Sequence, residues 1–184
     1  LFAFVSRTPN GLVAIAALRI AFDFSMLFQQ AANQFRHFFI SFGFDDIEAK
    51  RRFMILVALG ITAIMAAFAL TPLSNWIWGS LMGVPAELMQ SSVEVLMIMC
   101  LMPAVIVYRN YFHSRLMHLR RPAGMAYGGI LRVAGIFIVA AVTFQLDMLN
   151  HLSAAAILIF GFVIEALIAQ NANQRAFRTA TPDG

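Results

Sequence analysis

The chain has 184 residues, of which 61% are hydrophobic and 12% charged, with a formal net charge of +4. A soluble domain of this length needs roughly 25% charged residues to cover its surface, so a large part of this surface faces lipid rather than water. The pI near 10 does not mark a nucleic-acid binder. The basic residues sit in short clusters between apolar runs instead of gathering on one solvated face, and the partners expected are a lipid bilayer and no nucleic acid.

The sequence predicts an all-α polytopic membrane protein with five transmembrane helices in one domain, residues 1–184. The first segment, Leu12 to Phe42, is long and mixed, with Arg19, Asp23, Gln29, Gln30, Asn33, Gln34, Arg36 and His37 among its apolar residues. Four cleaner spans follow: Phe53 to Leu70, Val93 to Tyr108, Ala123 to Phe144, and Leu152 to Ala169. Each offers about 16 to 22 mostly apolar residues, near what a ~30 Å hydrocarbon core requires at 1.5 Å per residue. Pro103 predicts a kink in the third. Residues 170–184 read as a cytoplasmic tail. Leu1 at the start, with no basic and apolar leader behind it, reads as the beginning of a fragment.

The connections alternate in Lys and Arg. Lys50, Arg51 and Arg52 lie between the first two spans, and none between the second and third. Arg109, Arg115, Arg120 and Arg121 follow the third, none lies between Asp147 and His151, and Arg175 and Arg178 follow the fifth. Basic residues mark the cytoplasmic side of short loops. This puts the C-terminus in the cytoplasm, and the N-terminus outside, of a multi-pass protein in a plasma or bacterial inner membrane. The alternation also requires the first segment to be a span. Trp76 and Trp78 read as an interfacial aromatic belt at the outer end of the second span.

Within the first span, Arg19, Asp23, Met26, Gln30, Asn33 and His37 recur at intervals of four and three, which confines them to an arc of about 80° on one helical face. A central Arg or Asp facing lipid costs about 2.5–3.5 kcal/mol, so the stripe is expected to face other helices or a wet cavity. It reads as the lining of a substrate path, with a polar seam between helices as the alternative. Arg132, about nine residues into the fourth span, and Glu165, near the same face in the fifth, are expected to pair. The turn between these two spans is short enough to make them antiparallel neighbours. Gly124, Gly128 and Gly135 share a face suited to close helix packing. Cys100 is the sole cysteine and reads as a small buried hydrophobe. His113 and His118, read at a cytoplasmic helix end, are too far apart around it to share a metal. Neither a nucleophile–base pair nor a metal-ligand motif stands out, and no catalytic residue, cofactor or enzyme activity is expected.

Phe4-Val5-Ser6-Arg7, Phe35-Arg36, Leu131-Arg132, Gly161-Phe162-Val163 with Glu165, the Thr71-Pro72 exit and the mid-helix Pro103 together resemble the progressive ankylosis (ANK) protein family. That family is similar to the MATE and MurJ transporters of the multidrug/oligosaccharidyl-lipid/polysaccharide (MOP) superfamily. The resemblance implies the last five helices of the C-terminal lobe of a two-lobed, alternating-access transporter, with the N-terminal lobe of the same protein as partner. It implies export of a small anionic solute such as pyrophosphate, nucleotide or organic acid. Arg36, Arg132 and Glu165 occupy matching positions. With Arg19 they fit a path in which Arg19 and Arg36 supply positive charge, and Asp23, His37 and Glu165 are proton or cation sites. The chain departs from the family at Phe24 to Ala32, which carries neither Pro nor Gly. Flipping of a lipid-linked or drug-like solute within the same superfamily, and a non-transporting membrane scaffold, are the alternatives.

Overall fold

The computed structural model describes residues 1–180, with side chains through 176. A short helix α1 (Phe2–Val5) precedes α2 (Gly11–Phe42) and α3 (Ile47–Leu70). A π-helical turn (Asn75–Leu81) leads to α4 (Ala86–Met99), α5 (Met102–His118), α6 (Ala123–Gln145) and α7 (His151–Ala180). Among the described residues there are no strands. Five crossings among the described residues are long and apolar enough to span a membrane: α2, α3, α4 with α5, α6, and α7. The chain is an all-α polytopic membrane protein.

The helix ends follow local chemistry. Gly43 leaves α2 at φ 66°, a backbone that favours glycine, and the Lys50 ammonium donates to the exposed carbonyls of Phe42 and Gly43 at 2.7 and 3.3 Å. Thr71, extended ahead of Pro72, ends α3. Arg120 and Asp147 adopt left-handed conformations at the ends of α5 and α6. The next amides, of Arg121 and Met148, reach back to Leu116 O and Thr143 O, both at 2.9 Å, which is the Schellman closure of a helix. Asn150 opens α7: its Oδ1 accepts the amides of Leu152 and Ser153, while its own amide donates to Ser153 Oγ.

Several boundaries differ from the sequence expectation. The 93–108 span is the middle of a longer crossing, 86–118, broken at Cys100 and Leu101, where Pro103 cannot donate to the preceding turn. Arg109 and Arg115 therefore lie in α5, and only Arg120 and Arg121 remain in the connection. The 53–70 span begins earlier, at Ile47, so the basic triplet rides on the first turns of α3. The helix that contains the 152–169 span continues to Ala180, so residues 170–180 of the expected tail are helical. The rest of that expected tail and the Arg178 side chain lie outside the described residues.

Helix α2 packs one face against α4 and α5, while α6 and α7 form an antiparallel pair. Its inward face is largely small, with Ala14, Ala17, Ala21, Ser25 and Ala32 all buried, which lets neighbouring backbones approach. Trp78 is fully buried, edge-on to Phe24 and Phe68 at 5.5 and 5.4 Å. It is a core anchor, not a belt residue; Trp76 is exposed. The outer faces of α3 and α6 expose Leu56, Leu59, Ile64, Ile130, Val133 and Phe137, apolar surface that suits lipid.

Candidate functional site

Three helices carry a polar residue at one depth. Asn33 lies nine residues before the end of α2, Arg109 nine before the end of α5, and Arg132 nine after the start of α6. At 1.5 Å per residue each is about 14 Å from the end of its own helix that lies towards the Lys50 or Arg121 connection. α7 brings Glu165 to the same place, where the absence of a side chain at Gly128 makes room. A Cβ there would meet Glu165 Cγ at 3.2 Å and its carbonyl oxygen at 3.4 Å.

Glu165 is buried, and its Oε2 accepts from Arg132 Nη1 at 2.8 Å and from Arg109 Nη1 at 3.4 Å. Its Oε1 faces His113 Nε2 at 3.6 Å. Arg109 reaches on through Nη2 to the amide oxygens of Asn33 and Asn110, both at 3.2 Å. Asn110 in turn donates to the Ala32 carbonyl at 3.2 Å. Phe162 lies beneath both guanidiniums, 5.3 Å from Arg109 Cζ and 4.6 Å from Arg132 Cζ, where the ring face disperses positive charge. Arg109 Nε is buried without a hydrogen-bond partner among the described residues.

Two guanidiniums thus share one carboxylate, leaving the centre with a surplus positive charge. A buried arginine keeps its charge and needs anionic or acceptor groups around it. Here a single carboxylate oxygen serves two of them. Such a centre is chemically suited to hold an anion, which would supply the missing negative charge through the same forked donors.

Sequence reasoning paired Arg132 with Glu165, and the two are in direct contact. It did not include Arg109, Asn110 or His113. The stripe on α2 is split. Arg19 and Asp23 are exposed and pair with each other at 3.3 Å, and Gln30 and His37 are also exposed. Asn33 and Arg36 are partly buried, and Asn33 alone of the stripe hydrogen-bonds to the buried centre, through Arg109 and Asn110. The stripe therefore does not face the other helices of this chain; it lies on the outside of the bundle and turns inward at Asn33.

Among the described residues, no cluster of three His, Cys, Asp or Glu side chains is placed to hold a metal. No protein-family model, curated protein or solved structure matches the chain. Its class rests on the fold and the buried charged centre: a multi-pass helical membrane protein with an arginine-rich intramembrane site.

Proposed function

We propose that the chain is part of a membrane transporter that exports a small anionic solute by alternating access. The basic end of the bundle and the C-terminus lie in the cytoplasm, in a plasma or bacterial inner membrane. The observation that carries this reading is the junction at Asn33. An uncovered polar stripe on α2 meets, at Asn33, a centre where Arg109 and Arg132 share Glu165. A helix facing lipid has no use for such a stripe, whereas a helix bordering a wet cavity between two lobes does. The surplus charge where the stripe meets that centre sets the sign of the solute. The resemblance to the ANK family points to pyrophosphate, nucleotides or organic acids, and to a second lobe opposite α2. No bond in the solute is made or broken, so no enzymatic role is part of the reading.

The scaffold alternative is favoured by one feature, the Arg19–Asp23 pair, which neutralises its own charge on the exposed face as a seam against a partner helix would. Flux separates the two. The full-length protein in proteoliposomes should release entrapped pyrophosphate or citrate, and Arg109→Gln and Arg132→Gln should each abolish that release. Release of neither anion, or release indifferent to both substitutions, would overturn the transport reading.

A further inference from the structure

A second basic site lies towards the end of the bundle, where Arg175 stands ten residues beyond Glu165 on α7, about 15 Å at 1.5 Å per residue. α6 starts at Ala123, whereas α7 continues to Ala180. The two helices are in register where Gly124 meets Ala172: a Cβ on Gly124 would lie 2.6 Å from the Ala172 methyl. α7 therefore projects beyond the contact by eight residues, about 12 Å at 1.5 Å per residue, with only the first turn of α6 beside it. A cavity of about 480 Å³ runs alongside this contact and into the step.

Its walls have two characters. Tyr127 and Ile168, about one turn further along α6 and α7, line the part that continues along the helices, with Leu116 of α5 beside Gly124. Arg121, Asn171 and Arg175 line the part towards the helix ends. Arg121 is set there by the turn that closes α5, with Arg120 left-handed and the Arg121 amide on Leu116 O at 2.9 Å. Arg175 comes from α7 one helical turn beyond Asn171. Both arginines are exposed, and so is Tyr127.

We infer that this step between α6 and α7 is a binding site for an anionic phospholipid. The headgroup phosphate would lie against Arg121 and Arg175, and an acyl chain would run down the wall formed by Tyr127 and Ile168. Three observations converge on a lipid rather than a soluble anion. The site is at the level of the helix ends, where headgroups lie. It opens beside α6, where Tyr127 and Ile130 are exposed. Its apolar part continues in the direction of the hydrocarbon, so one molecule with a charged head and an apolar tail fills both halves. Guanidinium forks suit phosphate oxygens, and basic pockets between spanning helices at an interface attract acidic headgroups. This site stands independently of the transport reading.

The test is native mass spectrometry of the purified full-length protein, released from mixed micelles holding phosphatidylglycerol and phosphatidylcholine in equal amounts. The wild type should retain phosphatidylglycerol preferentially. Arg121→Gln with Arg175→Gln should weaken that preference by roughly thirtyfold, the loss expected for two arginines at an anionic surface. Ala123→Trp, which fills the cavity and leaves both charges in place, should weaken it too. Arg51→Gln with Arg52→Gln removes the same charge from the same end of the bundle and should leave the preference intact. Equal retention of the two lipids would overturn the assignment. So would an equal loss in the Arg51/Arg52 variant, or displacement of the lipid by glycerol phosphate at matched concentration.

Discussion

Arg109 and Glu165, fifty-six residues apart in sequence, meet at 3.4 Å between Arg109 Nη1 and Glu165 Oε2, the oxygen that also holds Arg132. One carboxylate is thus the shared counter-ion of two helices, α5 and α6, and it is carried on a third, α7. Both the stability and the electrostatics of the centre depend on that arrangement.

Removing the carboxylate should therefore be worse than removing either arginine. Glu165→Ala strands two cations and is expected to cost about 3–5 kcal/mol, the range for breaking a buried pair from one side. Arg132→Ala should cost less, because Arg132 is more exposed than Arg109 and leaves Glu165 still paired. The double variant Arg132→Ala/Glu165→Ala should recover only part of the Glu165→Ala loss, since Arg109 remains unpaired. Thermal unfolding in detergent reads all three. Strictly additive losses would mean that the two residues do not act as a unit.

The contact between α6 and α7 gives a second prediction. A Cβ at Gly161 would lie 2.5 Å from Ile136 and 3.1 Å from Arg132 Cγ, while one at Gly129 meets nothing within 4 Å. Gly161→Leu should then lower stability by about 1–3 kcal/mol through overpacking. Gly129→Ala should be neutral or stabilising by up to about 1 kcal/mol, from helix propensity. Equal effects at the two sites would contradict this helix register.

Orientation follows from the basic residues at one end of the bundle. Reporter fusions after Arg121 and at the C-terminus should both read cytoplasmic, and one beside exposed Trp76 should read external. If Trp76 and the C-terminus reported the same side, the five-crossing topology would be wrong.

Much of this architecture is legible in the sequence because lipid imposes length and composition on every span, and because the basic clusters alternate. The Arg132–Glu165 contact is legible for a related reason, the short Asp147–Asn150 turn that forces α6 and α7 together. Arg109 and His113 were hidden by that same logic. Counting Arg109 and Arg115 as loop charges ends the third span at Tyr108, yet α5 continues to His118. The overlooked signal is the run from Ala104 to Arg121, which has no Gly or Pro to stop a helix and spaces Arg109 and His113 four apart on one face. Trp78 misled in the opposite way. An aromatic near a span end suits an interface, and only the packing of Phe24 and Phe68 around it shows a core residue. The stripe on α2 is readable as a stripe, but periodicity alone does not say whether it points into the bundle or away from it.

The central claim, that the α2 stripe borders a water-filled path for anions, is tested most directly by the charge preference of thiol reagents at Gln30→Cys. Gln30 is exposed on the stripe, one turn from Asn33, while native Cys100 is buried. The rates with a sulfonate-bearing and an ammonium-bearing methanethiosulfonate, each normalised to a free thiol, should favour the anionic reagent, and Arg109→Gln should reduce that preference. Protection from both reagents, or faster reaction with the cationic one, would contradict the account.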